Sequence, residues 1–194
     1  MPAEPGRSNQ RLRTRRDLLE AGVRLSAEGR QPSLDEIAGA ARVSRATAYR
    51  YFASAEALLA EASAHVAFPD PDSLLHRTSG ATARLIKLDQ AAAAMISDNE
   101  PALRAMLASA VRQATSARQF PVRQNRRSPA IAAALAPHRQ EFSPRDFDRL
   151  EKALALVIGT EAFLVFRDVL DLSDGEAAKV RRWTIEALVE KAKA

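Results

Sequence analysis

Apolar residues recur along the chain at spacings of three and four, with no strand-length run of strict alternation, so the pattern predicts an all-α fold. Residues 1–9 read as a disordered leader, and a first helix starts near Gln10. Leu18, Leu19, Gly22, Val23 and Ser26 share its inner face, and Gly29 is placed to end it. Ser33 and Glu36, three apart, form a capping box that opens a second helix with the stripe Leu34, Ile37, Ala38 and Ala41. After a break at Arg42 and Val43, Ser44 caps a third helix running from Arg45 to about Phe52, and Ser54 caps a fourth. The stretch Pro69 to Ser73 cannot continue that fourth helix, because proline lacks the amide donor and clashes with the preceding turn.

Longer helices are expected over about 78–97, 100–114, 129–140, 144–171 and 174–192. Asp98 or Asn99 precedes Glu100 and Pro101, Ser128 precedes Pro129, and Ser143 precedes Pro144. Ser173 with Glu176 repeats the capping box. The expected organisation is a small domain over residues 10–60, with its distinctive motif at 33–52, followed by a larger helical bundle over 61–194.

A third helix of eight or nine residues is marginal alone, so packing on the first two must hold it. Ala48 and Phe52, four apart, suit the inner face. Arg45, Ala46, Tyr49 and Arg50 then face outward, with Thr47 and Tyr51 to the sides. That surface of cations, hydroxyls and aromatic edges matches phosphates and base edges, and the positive end of the helix dipole favours phosphate too. Two short helices at a tight angle, the second fitting a major groove, describe a helix-turn-helix.

Composition narrows the alternatives. The 194 residues are 46% hydrophobic and 27% charged with only 7 glycines, which is the composition of a folded, helix-rich chain. A net charge of +5 and a pI near 10.1 suit a polyanionic partner. The absence of cysteine excludes disulfides, thiolate metal sites and a cysteine nucleophile. No run of about 18 apolar residues and no signal-peptide core at "MPAEPGRSNQ" point to a cytoplasmic protein without a membrane partner. His65, His76 and His138 lack metal-ligand spacing, and no carboxylate pair, phosphate-cradling loop or nucleophile elbow is present. The reading is therefore of a protein without metal or cofactor, and not of an enzyme.

The ordered set Ser33, Ile37, Ala38, Ala41, Val43, Ser44, Thr47, Tyr49, Tyr51, Phe52, Ser54, Glu56 and Leu58 resembles the DNA-binding domain of the TetR family of bacterial transcriptional regulators. The resemblance covers about residues 10–60. It implies that Ser33, Ser44, Thr47 and Tyr49 lie at or near the DNA backbone, with Tyr51 beside them, and that Arg45, Ala46 and Arg50 lie nearest the bases. Two positions depart from the family pattern. Arg42 stands where a glycine is usual in the turn, which implies a turn that tolerates a side chain or a strained backbone. Ala55 replaces the lysine that often begins the fourth helix, so affinity is expected to lean on Arg11, Arg13 and Arg15.

Lys152 to Phe166 is apolar on more than one side, as expected of a helix lying between its own core and a partner. Gly159, costly inside a helix, suggests close approach of a neighbour. The last helix repeats the theme, with Val180, Trp183, Thr184, Ala187 and Leu188 on one stripe and Ile185 and Val189 on another. Leu156, Gly159, Phe163, Val180, Trp183 and Leu188 are the expected homodimer contacts, and Glu161 is read as a paired carboxylate or a pocket group. The resemblance implies the same two-helix dimer interface, a double-stranded inverted-repeat operator, and a small-molecule inducer held in the bundle. Leu88, Met95, Leu103, Met106, Leu107, Val111 and Leu135 are the candidate pocket residues, with plain core packing as the other reading of each. The arginine-rich stretch 116–129 fits a solvated loop, a nucleic-acid contact or an anion contact. The expected function is a ligand-responsive repressor; a helical carrier that has lost DNA binding is the alternative.

Overall fold

The computed structural model describes residues 5–28, 31–67, 70–116 and 125–193. Among them every regular element is helical. The elements are α1 Pro5–Ala27, α2 Leu34–Ala40, α3 Arg45–Tyr51, α4 Ala55–Ala67, α5 Pro71–Leu75, α6 Ala81–Asp98, α7 Glu100–Ser116, α8 Arg127–Leu135, α9 Pro144–Val157, α10 Thr160–Leu164 and α11 Asp174–Lys193. A 3-10 turn over Ala136–Glu141 follows α8, and a π-helical turn over Val165–Val169 follows α10. The helices cluster into two compact units, α1–α4 with α7 in one, and α5, α6 and α8–α11 in the other.

In the first unit α1 packs on α2 and α4, α2 on α3, and α4 on α7. Leu18, Leu19, Ala21, Leu34, Ile37, Ala38, Ala48, Phe52 and Leu58 form its buried core, so the inner faces expected for the first three helices pack, except that Ser26, near the end of α1, is exposed. Gly22 permits the tightest approach. A Cβ there would come within 2.5 Å of Leu58 Cδ2, which holds α1 close against α4. α1 begins at Pro5, inside the stretch read as leader. Gly29 lies outside the described residues.

The second unit is centred on Leu75, Leu85, Leu88, Ile131, Leu135, Leu154, Ile158, Ile185 and Val189. Arg84 of α6 ties helix ends together by donating from Nε to the carbonyl of Ala134 (2.7 Å) and from Nη1 to those of Leu75 (2.8 Å) and Thr78 (3.0 Å). Ala134 and Leu75 lie in the last turns of α8 and α5 and Thr78 in the connection to α6, so one guanidinium ties two helix ends and a loop together. Asp89 of α6 and Arg181 of α11 form a buried ion pair, Nε to either carboxylate oxygen at 3.0 Å. Burial pushes the Asp89 carboxyl above its usual range, against the opposing pull of the guanidinium.

Three expectations for this unit change. The short helix α5 occupies Pro71–Leu75, where Asp70 caps it by accepting from the Ser73 amide (3.1 Å) and Pro71 sits at its first turn. α8 starts at Arg127, and the Asn125 side chain, not Ser128, accepts at its start, from the Ser128 amide (3.1 Å). The helix expected over 144–171 breaks at Ile158 and Gly159 and ends in the π-helical turn. Gly159 adopts φ +157°, and a Cβ there would lie 2.7 Å from the Arg127 guanidinium carbon. The close neighbour is an arginine head group capping a helix end: Arg127 Nη1 donates to the Ala155 carbonyl (2.9 Å).

Candidate nucleic-acid interface

Ser33 opens α2 with the full capping box. Its hydroxyl accepts from the Glu36 amide (3.3 Å), and the Glu36 carboxylate accepts from the Ser33 amide (2.8 Å). α2 then ends in a Schellman turn, in which the Val43 amide donates to the Ala38 carbonyl (3.0 Å) and the Arg42 amide to that of Gly39 (3.0 Å). Such a turn needs one left-handed residue, and Arg42 supplies it at φ +56°. The strained option foreseen for this position is the one the chain adopts.

Ser44 caps α3 by accepting from the Thr47 amide (3.1 Å), and the two hydroxyls are 2.8 Å apart. Both side chains therefore set the start of the helix as well as lying at its surface. Ala48, Tyr51 and Phe52 are buried, while Arg45, Ala46, Tyr49 and Arg50 are exposed. Four of the expected contacts thus share one outward face. Tyr51 does not: it turns inward with only 7% of its surface accessible, because it lies three residues from Ala48 on the packed side.

Arg15 also departs from expectation. It is 3% exposed, donates from Nε to Glu61 of α4 (3.0 Å) and from Nη1 to the Tyr51 carbonyl (3.3 Å), and lies over the Phe52 ring at 4.5 Å. A buried guanidinium that satisfies a carboxylate and the last carbonyl of α3 is a structural clamp, not a phosphate contact. Arg13 stays exposed and Arg11 half-buried. On the outward face Arg45 pairs through Nε with Asp35 of α2 (3.1 Å) and lies over the Tyr49 ring at 5.5 Å. Neither the Arg15–Glu61 clamp nor the Arg45–Asp35 pair was anticipated. The clamp had a signal, since Arg15 sits one turn before Leu18 and Leu19 on their own face.

The expected dimer contacts divide. Leu156, Val180 and Trp183 are exposed, at 79%, 40% and 69%, together with Val165, Val169 and Leu170. Phe163 is buried in its own unit, Leu188 packs partly on that unit's core, and Gly159 is taken up by Arg127. Glu161 pairs with Arg127, in line with the paired-carboxylate reading. On α11 it is the second stripe, Ile185 and Val189 with Ala177, that faces inward.

The seven candidate pocket residues divide between the two units. Leu103, Met106, Leu107 and Val111 belong to α7 of the first unit, and Val111 is 67% exposed. Leu88 and Leu135 are fully buried core of the second unit, and Met95 is half-buried there. Plain packing accounts for the buried ones. A hollow of about 260 Å³ lies elsewhere in that unit, lined by Asp146, Arg149, Leu150, Ala153, Leu188 and Lys191. Within the arginine-rich stretch, 117–124 lies outside the described residues.

Residues 18–62 match the model of the family described as bacterial regulatory proteins, tetR family. No curated protein and no solved structure gives a match to the chain. The matched segment contains α2, the Schellman turn and α3 entire. The segment is a DNA-binding domain of that family, and its presence supports a TetR-type DNA-binding transcription regulator.

Proposed function

We propose that this TetR-type regulator is a cytoplasmic homodimeric repressor that covers an inverted-repeat operator and leaves it when a small inducer binds the C-terminal helices. The observation that carries the DNA-reading part is the outward face of α3, where Arg45, Ala46, Tyr49 and Arg50 stand together on a helix whose other side is locked into the core. In this reading Arg45, Ala46 and Arg50 meet base edges in the major groove, while Tyr49 and the Ser33, Ser44 and Thr47 hydroxyls meet phosphates.

Dimerisation is supported by the apolar groups left at the surface of the second unit, chiefly Leu156, Val169 and Trp183. Side chains of this size at 69–79% exposure favour a covering partner, and a second copy satisfies a two-fold operator at the same time. An inducer can move the protein off DNA only by binding the two conformations unequally. No helix among the described residues is long and apolar enough to cross a membrane.

Two variants separate the roles. Tyr49→Ala is expected to weaken operator binding by roughly tenfold through a lost charge-assisted hydrogen bond, with the dimer intact by sedimentation. Trp183→Asp is expected to cost the dimer about 2 kcal/mol or more and to lower operator affinity through that loss. Full operator affinity in Tyr49→Ala would remove α3 from the interface, and an undisturbed dimer in Trp183→Asp would move the contact surface away from α11.

A further inference from the structure

Asp35 presents a carboxylate on the surface assigned to a polyanion, 44% exposed and one helix away from the reading face. An acid there repels phosphate, so its presence calls for a compensating role. Ser33 and Glu36 already close the capping box, so at the start of α2 Asp35 contributes its first-turn charge alone. What Asp35 does touch is Arg45, the first residue of α3, with its Oδ1 3.1 Å from Nε.

We infer that Asp35 is a specificity-determining positioning residue, which holds the Arg45 guanidinium with its terminal nitrogens presented to a guanine. The inference rests on the reading of Arg45 as a base contact. The ion pair at Nε biases the position of the exposed guanidinium and leaves the Nη1 and Nη2 groups side by side, the fork that donates to the O6 and N7 acceptors of guanine. The Tyr49 ring, 5.5 Å from the guanidinium carbon, limits the second direction of swing. Among the described residues Arg45 has no other ion-pair or aromatic partner. Asp35 also masks the charge of Arg45 from phosphates, so it disfavours non-specific DNA while favouring the one base pair that rewards a fixed fork.

The two effects have opposite signs, which a merely structural role would not produce. The experiment uses the full chain, the duplex that the wild-type protein selects from a randomised library, its single-base variants, and an unrelated duplex of equal length. Arg45→Ala is expected to reduce discrimination at one base pair of each half-site by about tenfold to a hundredfold. Asp35→Asn is expected to reduce it at that same base pair by about three- to tenfold. On the unrelated duplex Asp35→Asn is expected to bind more tightly than wild type, with a steeper salt dependence because Arg45 is released to phosphate. In the Arg45→Ala background Asp35→Asn should cause no further loss of discrimination.

Unchanged discrimination in Asp35→Asn, with Arg45→Ala still defective, overturns the positioning role and leaves Arg45 as a base reader. Equal weakening on every duplex with a lowered melting temperature overturns it in favour of support for the start of α2. Unchanged discrimination in Arg45→Ala at every position overturns the base-reading role and the inference together.

Discussion

A left-handed arginine at a turn that family resemblance would fill with glycine carries a direct energetic consequence. At φ +56° Arg42 bears the Cβ clash of the left-handed region, about 1–2 kcal/mol. Arg42→Gly removes that clash, and the larger freedom of glycine in the unfolded chain offsets part of the gain. A net stabilisation of about 0.5–1 kcal/mol is expected in urea unfolding. Lower stability than wild type would mean that the Arg42 side chain makes contacts worth more than the strain. The family resemblance marked this position, and the structure gives the local reason: a turn closed by two backbone hydrogen bonds demands one positive φ whatever occupies it. Arg15 shows the opposite case. Its charge suggested DNA, yet helical register places it on the face of Leu18 and Leu19, where Glu61 and the end of α3 satisfy it. Charge type does not tell which way a side chain faces, and a buried partner 46 residues away is invisible to local pattern.

Helix starts were the most legible feature at the scale of elements, since a cap is written in four consecutive residues. Ser33, Ser44, Ser54, Ser143 and Ser173 each accept the amide expected of them. At Ser173 the hydroxyl bonds the Glu176 carboxylate (2.6 Å) and, with the Ser173 amide, holds that carboxyl below its usual range. A depressed folded value contributes stability above the unfolded carboxylate range and loses it as pH falls through the folded value. Ser173→Ala is expected to cost about 1 kcal/mol at neutral pH from the lost cap. It should also show a shallower fall in stability on acidification, read by urea unfolding across the acid range. An unaltered acid limb would place the pH sensitivity elsewhere. Helix interruptions were much less legible. Pro144 to Asp171 reads as one apolar helix, and the break at Ile158 and Gly159 comes with a tertiary neighbour, the Arg127 head group, that periodicity does not show. The helix α5 escaped notice because prolines usually end helices, and at Pro71 one begins it.

For the molecule as a whole, the all-α class followed from periodicity, and the candidate DNA-reading face followed from a short two-sided helix taken together with the family resemblance of the ordered set around it. The inner residues of α3 and its outward arginines were both readable, because one helix of fixed pitch sorts them. The C-terminal assignments were read less well. Stripes on α9 to α11 showed that two faces are apolar, but only packing decides which face the chain uses for itself: Phe163, Ile185 and Val189 go inward, while Val169, Val180 and Trp183 stay outside. The candidate pocket residues belong to two units, and periodicity does not tell which unit a helix joins.

The proposed function pairs two copies through the exposed apolar groups of the second unit, with the reading helices meeting successive major grooves. The direct test is to incubate the purified protein with a randomised duplex library near physiological salt, recover the bound DNA and sequence it, since electrostatic binding alone fades as salt rises. The account predicts enrichment of two inverted half-sites whose centres lie about one helical turn, roughly 34–36 Å, or a multiple of it apart. Recovery of no preferred sequence, or of a single unpaired half-site, by a folded protein would contradict it.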